Sequence, residues 1–147
     1  MKKCFVIILS ILVAIFASGC GPATYGELVK YEGTKKKEFV INKNYQKLYK
    51  DTLDATGRCW DSPAYTIYGT EYTHKREFYN ELGEARIERY IASGLIFSSF
   101  DFKSIDTNKT KLTIHVGDTH DPYFVTRDID VMKKEITGEC IKCRCKE

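Results

Sequence analysis

Ile96-Phe97-Ser98-Ser99-Phe100-Asp101-Phe102-Lys103-Ser104-Ile105, Asp106-Thr107-Asn108-Lys109 and Thr110-Lys111-Leu112-Thr113-Ile114-His115-Val116 are the three consecutive pieces of sequence that decide the fold. In the first, Ile96, Ser98, Phe100 and Phe102 share one face. In the last, Leu112, Ile114 and Val116 alternate with Lys111, Thr113 and His115. A period of two marks a half-buried strand, because successive side chains point to opposite faces. The polar piece between them reads as a hairpin turn. One antiparallel pair is therefore predicted, with His115 on its solvent face.

Upstream, Ala85, Ile87 and Ile91 alternate with Arg86, Glu88 and Tyr90, which predicts a further strand ended by Ser93-Gly94. Asn80-Glu81-Leu82-Gly83 is a turn signal. Before it, Tyr65 to Tyr72 reads as a strand of aromatic and β-branched residues, and Lys75 to Tyr79 extends it or forms its own. Earlier still, Tyr45, Leu48, Tyr49, Thr52, Leu53 and Thr56 recur at helical spacing, opposite Lys47, Lys50, Asp51 and Asp54. A helix is expected from Asn44 to Ala55, capped by Asn42 or Asn44 and ended by Gly57. Lys37 to Ile41 could form a short first strand. Downstream, Asp121-Pro122 can open a last helix with Val125, Ile129, Met132 and Ile136 as its apolar stripe and Gly138 at its end. The expected fold is α+β: an antiparallel sheet of about four strands, with an N-terminal and a C-terminal helix packed on one face.

The first twenty residues, MKKCFVIILSILVAIFASGC, follow a different logic. Lys2 and Lys3 make a short positive region, and Cys4 to Phe16 is apolar except for Ser10. That run is shorter than the roughly 20 apolar residues needed to cross a bilayer, and suits the hydrophobic part of a secretory signal. The tetrapeptide Ala17-Ser18-Gly19-Cys20 resembles the lipobox of bacterial lipoproteins, with Ala17 where Leu is more usual. The resemblance implies cleavage before Cys20, acylation of its sulfur, palmitate among the chains, and acylation of the new amino group. Gly21 in place of Asp resembles the outer-membrane pattern. Residues 1–19 are thus expected to be a signal peptide, 20–36 the lipidated Cys20 and a tether with Gly21-Pro22, Gly26 and Gly33, and 37–147 a single domain. The membrane is a partner through the anchor, and the domain is expected in the envelope, facing the periplasm.

Removing 19 of the 147 residues leaves 128, enough for one core and too few for two. The precursor carries +3, of which Lys2 and Lys3 leave with the signal. The mature part is close to neutral, without the basic stripe of a nucleic-acid binder. Lys35-Lys36-Lys37 is read as a solvated loop, with contact to anionic head groups as the alternative. Ten tyrosines and eight phenylalanines argue for a packed domain rather than a stalk.

Four cysteines remain after the signal and the anchor: Cys59, Cys140, Cys143 and Cys145. An oxidising compartment favours disulfides, and four cysteines allow three pairings. Strain across the one-residue gap between Cys143 and Cys145 disfavours the pairing that leaves Cys59 with Cys140. The other two join Cys59 to Cys143 or Cys145. Cys59 with Cys140 is nevertheless the expected disulfide, because each follows a predicted helix and the bond would staple the two helix ends. A zinc site built from Cys140, Cys143, Cys145 and Cys59 is an alternative, as is a redox pair, although the C-x-x-C lies in a tail rather than at a helix start.

The plan also resembles a group of small proteobacterial lipoproteins of unknown function. The shared features are the lipobox, a Tyr-rich first helix followed by Arg58-Cys59, a strand meander and a final helix leading to Cys140. The resemblance spans about Tyr45 to Cys140 and implies no catalytic residues.

His115-Val116-Gly117-Asp118-Thr119-His120-Asp121 is the densest group of His and Asp and could ligate a transition metal. Its simpler reading is a strand end, a loop and a helix cap. Ser93, Ser98, Ser99 and Ser104 lack a G-x-S-x-G elbow. Gly83 and Gly94 are turn glycines, not a phosphate loop. Glu71, Glu77, Glu81 and Glu84 read as hairpin charges. Tyr65, Tyr68, Tyr72, Phe78, Tyr79 and Tyr90 are core and cross-strand pairs, or a binding surface if one sheet face is uncovered. The expected function is a non-enzymatic binding or structural module without cofactor, with an envelope protein as partner. The alternatives are a metal protein or enzyme using His115 to Asp121, and a lipoprotein inhibitor or immunity factor.

Overall fold

The computed structural model describes residues 21–60, 72–91, 94–117 and 128–140. Their elements are α1 (Tyr25–Lys30), β1 (Lys35–Ile41), α2 (Tyr45–Ala55), a π turn (Thr56–Trp60), β2 (Tyr72–Tyr79), a short 3₁₀ turn (Asn80–Leu82), β3 (Glu84–Ile91), β4 (Ile96–Asp106), β5 (Lys109–Val116) and α3 (Ile129–Thr137). The architecture is α+β, with one five-stranded antiparallel sheet ordered β1-β5-β4-β3-β2. Strands β2 to β5 form the expected meander. β1 is a fifth strand, laid against β5 from the far end of the chain.

The register sorts the sheet into rows that run across all five strands. One face carries Lys37, Ile114, Phe100, Ile87 and Arg76, then Phe39, Leu112, Phe102, Ala85 and Phe78. The central positions of these two rows are apolar, and their cations sit on the edge strands. Nearer the β3–β4 connection, Arg89 of β3 is buried on the same face, its guanidinium 5.2 Å from the Trp60 ring centroid. α2 lies over β3, β4 and β5 on this face and packs against α3. Leu48, Ala55, Ile87, Phe100, Phe102, Leu112, Ile114, Met132 and Ile136 belong to one buried cluster. Burying an Ile, Leu or Phe side chain contributes roughly 1.5–3 kcal/mol, so this layer supplies most of the stability.

Helix ends follow the local chemistry. Asn44 caps α2, its side-chain oxygen accepting from the backbone N–H of Gln46 and Lys47. Gly57 does not stop the chain there. The helix widens into the π turn, which buries Cys59 and Trp60. Trp60 stacks on Phe100 at 5.1 Å and donates its Nε1–H to Glu135 Oε2 of α3 at 2.5 Å. α3 starts at Asp128, whose carboxylate accepts from the Asp130 N–H. The expected start at Asp121-Pro122, the stripe residue Val125, and the strand residues 65–71 lie outside the described residues. Gly83 adopts a left-handed φ of 63° to close the β2–β3 turn, which an L side chain would resist.

The segment 21–34 is not a free tether. Thr24 and Glu27 form a capping box: Thr24 Oγ1 accepts from the Glu27 N–H, and Glu27 Oε2 accepts from the Thr24 N–H. α1 lies against β4 and β5 on the sheet's other face. Its Leu28 is 0% exposed, close enough to Gly117 that a β-carbon there would come within 3.2 Å of Leu28 Cδ1. Lys35 to Lys37 are likewise not a loop but the start of edge strand β1, paired with Val116, His115 and Ile114. Lysines on an edge discourage pairing with another chain. No helix of the described residues is long and apolar enough to cross a membrane.

Leu28 separates a docked segment from a loose one. Leu28→Ala is expected to cost about 2–5 kcal/mol in urea unfolding, as a buried Leu→Ala change does. Lys30→Ala, two residues on, is expected to stay within about 0.5 kcal/mol. Equal and negligible effects would return 21–34 to a tether.

Candidate functional site

The second face of the sheet carries three rows of mostly polar residues. Lys36, His115, Ser99, Glu88 and Lys75 form the row nearest the β3–β4 connection. Glu38, Thr113, Asp101, Arg86 and Glu77 form the next. Val40, Lys111, Lys103, Glu84 and Tyr79 form the third, at the opposite end. Alternation puts these side chains here because their neighbours in sequence fill the core. α2 and α3 leave this face uncovered, and α1 crosses only part of it.

Tyr25 holds α1 in place. Its hydroxyl donates to Asp101 Oδ2 at 3.0 Å. The Arg86 guanidinium lies over its ring, 3.5 Å from the centroid, and the His115 ring meets it edge-on at 6.0 Å. Asp101 also accepts from Arg86 Nε at 2.5 Å, and His115 Nδ1 lies 3.3 Å from its other oxygen contact, Oδ2. Arg86 reaches further toward Glu77 at 3.6 Å and Glu88 at 3.8 Å. Glu88 is buried and accepts from the Tyr90 hydroxyl at 2.5 Å.

These contacts set the titration of the cluster. Burial, then the Asp101 charge, pushes the Tyr25 hydroxyl up to about 12. Burial would raise the Asp101 carboxyl, but the bonds from His115 and Arg86, the Arg86 charge and the Tyr25 bond together hold it below 3.8. Burial and the bond to Glu88 push the Tyr90 hydroxyl up. On the open part of the face, hydrogen bonds from Lys111 and Lys36 bring Glu38 down to about 2.

Below α1 the face opens into a groove of about 310 Å³, lined among others by Val29, Lys36, Glu38, Tyr79, Glu84, Lys103 and Lys111. Each cation in it has an acid: Lys36 and Lys111 meet Glu38 at 2.9 and 2.7 Å, Lys103 meets Glu84 at 2.8 Å, and Arg86 meets Asp101. Tyr79 in the lining is 48% exposed, and Val40, paired with Lys111, is 63% exposed. Leu82 at 68% and Ile105 at 54% are exposed near the β2–β3 and β4–β5 turns, toward the same end of the sheet.

Ser99, His115 and Asp101 stand together, but not as a nucleophilic triad. Ser99 Oγ lies 3.2 Å from the same Nδ1 that faces Asp101, whereas proton transfer from serine needs the opposite ring nitrogen. Ser99 is also fully buried. His115 is not on a solvent face, as its alternation suggested, but 4% exposed. The cover is α1, built from the residues expected to be a tether. Thr24-x-x-Glu27 was the available signal for it. Asp118, His120 and Asp121 lie outside the described residues, as do Cys20, Cys143 and Cys145. Among the described residues, no group of three or more His, Cys, Asp or Glu is placed to hold a metal ion.

Of the aromatic candidates, Tyr79 lines the groove. Phe78 packs on the core face, stacked on Tyr45 at 5.6 Å and edge-on to Tyr49. Tyr90 serves Glu88, and Tyr65 and Tyr68 lie outside the described residues. Glu77 and Glu84 are paired with Lys75 and Lys103, as hairpin charges should be. Cys59 and Cys140 are both disulfide-bonded. No family model matches the chain, and no curated protein is similar to it.

Asp101 is the residue to test. Its carboxyl ionises at lower pH in the fold than in the unfolded chain, so on acidification the unfolded chain takes up the proton first. The stabilisation is complete above about pH 5 and is lost as pH falls through the folded value. Asp101→Asn is expected to cost about 2–3 kcal/mol at pH 7, less than the full penalty for breaking a wholly buried pair. The gap to the wild type should shrink steadily below pH 4 in chemical unfolding. A gap independent of pH would mean that Asp101 acts by packing alone.

Proposed function

We propose that this chain is anchored in the outer membrane by acyl groups on Cys20 and faces the periplasm. Its domain is a non-enzymatic binding module for another envelope protein. The observation that carries the binding role is the third row of the open face, where Val40 and Tyr79 flank Lys111, Lys103 and Glu84. A groove of about 310 Å³ lies at the lower limit for a small-molecule pocket, and such pockets are mostly apolar inside. This one mixes the two: Lys36, Glu38, Glu84, Lys103 and Lys111 line it together with Val29 and Tyr79. Exposed aromatic and aliphatic side chains beside oriented charges suit a protein surface. The Ser99–His115–Asp101 geometry favours a clamp over a catalytic role. The lipobox resemblance and the short apolar run before it support the anchor.

The disulfide proposed for the domain joins Cys59 to Cys140. It is supported by the packing of α2 against α3, which brings together the helices that the two cysteines follow. A closed loop of about 80 residues would contribute roughly 4 kcal/mol by restricting the unfolded chain.

Photocrosslinking in cells tests the binding surface. With p-benzoylphenylalanine at position 40 or 79, one discrete adduct is expected. At position 50, an exposed site on α2, none is expected. Adducts at all three sites, or at none, would reject the face as a docking surface. The intact mass of protein from native membranes tests the anchor: a chain starting at Cys20 with a lipid-sized gain is expected, and Cys20→Ala should remove the gain and release the protein from membranes.

A further inference from the structure

The anchor segment is attached to the fold at one defined place. Pro22 accepts a hydrogen bond from the Ile96 N–H at 2.8 Å. A β-carbon on Gly21 would lie 3.7 Å from Leu95 Cδ1. Both contacts are at the β3–β4 connection, where Leu95 in turn accepts from the Ile91 N–H. From there the chain enters the capping box and α1 without slack. One residue of extended chain spans at most about 3.6 Å. If Cys20 carries the acyl chains, the β3–β4 end of the sheet cannot rise off the bilayer while α1 stays docked.

We propose that the domain rests on the membrane by this end of the sheet, with the bilayer that holds its anchor as the partner surface. The strands then stand up from the membrane, and the Val40–Tyr79 row points away from it. β4 has eleven residues, and strands rise about 3.4 Å per residue. The β4–β5 turn is therefore carried roughly 34 Å along the strand from the anchored end. Charge does not set this orientation. Lys35, Lys36 and Lys75 lie toward the anchored end, but Lys103, Lys109 and Lys111 lie toward the other. The position of the covalent attachment sets it, and it should persist on uncharged membranes and in high salt, where electrostatic attraction is screened.

This inference rests on the acylation of Cys20, and the test keeps the two apart. The full lipidated chain, purified from native membranes, is placed in phosphatidylcholine vesicles containing a lipid with a spin label on its head group. A small fluorescent amino acid is placed at position 23 or at position 108, both exposed. Loss of fluorescence is expected at 23 and not at 108, at low and at high salt. Twelve Gly/Ser residues inserted between Cys20 and Gly21 would span roughly 19 Å and should abolish the loss at 23. A lipidated, vesicle-bound chain quenched equally at both positions, or unaffected by the spacer, would overturn the orientation and leave the anchor standing. A chain without lipid on Cys20 would overturn both.

Discussion

Asp101 is the point on which the two sides of the molecule depend. It lies in the middle strand of the sheet, between Phe100 and Phe102, which belong to the buried core. Alternation therefore forces its carboxylate onto the other face, where burial would be costly without partners. Tyr25, Arg86 and His115 supply them. Those same side chains hold α1 against the sheet. The core layer thus dictates where an acid must stand, and the answer to that acid decides what covers the second face.

The meander and α2 were legible because each has a period that a short stretch reveals. Leu112, Ile114 and Val116 alternate, and Leu48, Thr52 and Ala55 fall on the buried side of a helix. β1 was only half legible. Phe39 and Ile41 alternate, but its three lysines gave no burial pattern, and its pairing with β5 is a long-range fact that local periodicity does not contain. α1 was missed because six residues are too few to show a period. Helices this short are not stable alone, and tertiary contacts decide whether they form. The Thr24-x-x-Glu27 pattern stands in the sequence, but Gly21-Pro22, Gly26 and Gly33 around it read as a tether.

Missing α1 carried through to the site. With no cover expected, His115 was placed on the solvent face of a strand, and the cluster from His115 to Asp121 read first as a strand end, a loop and a helix cap, with a metal site as the alternative. Under α1 the same His115 is a buried hydrogen-bonding group facing Asp101 and a tyrosine ring. The error was in the environment assigned to the residues, not in the residues. Arg86 and Asp101 were read as ordinary strand positions, because opposite charges that meet across two strands are separated by fifteen residues in sequence.

The open part of the face follows from the same economy. α1 lies over β4 and β5 and meets Arg86 of β3 through Tyr25, and its six residues extend about 9 Å. It cannot cover a third row that lies two strand residues beyond Asp101. That row must be soluble, and the sheet achieves this with Lys111 and Lys103. The two sit directly opposite each other, a placement that is unfavourable between like charges. Glu38 and Glu84, on the flanking strands, take one lysine each. Solubility alone, however, does not call for Val40, Tyr79, Leu82 and Ile105 exposed at the same end of the sheet as these charges. Four exposed apolar side chains at the end of the sheet opposite Pro22 are what a surface meant for contact would keep. The charges beside them would fix how a partner sits more than how tightly it holds.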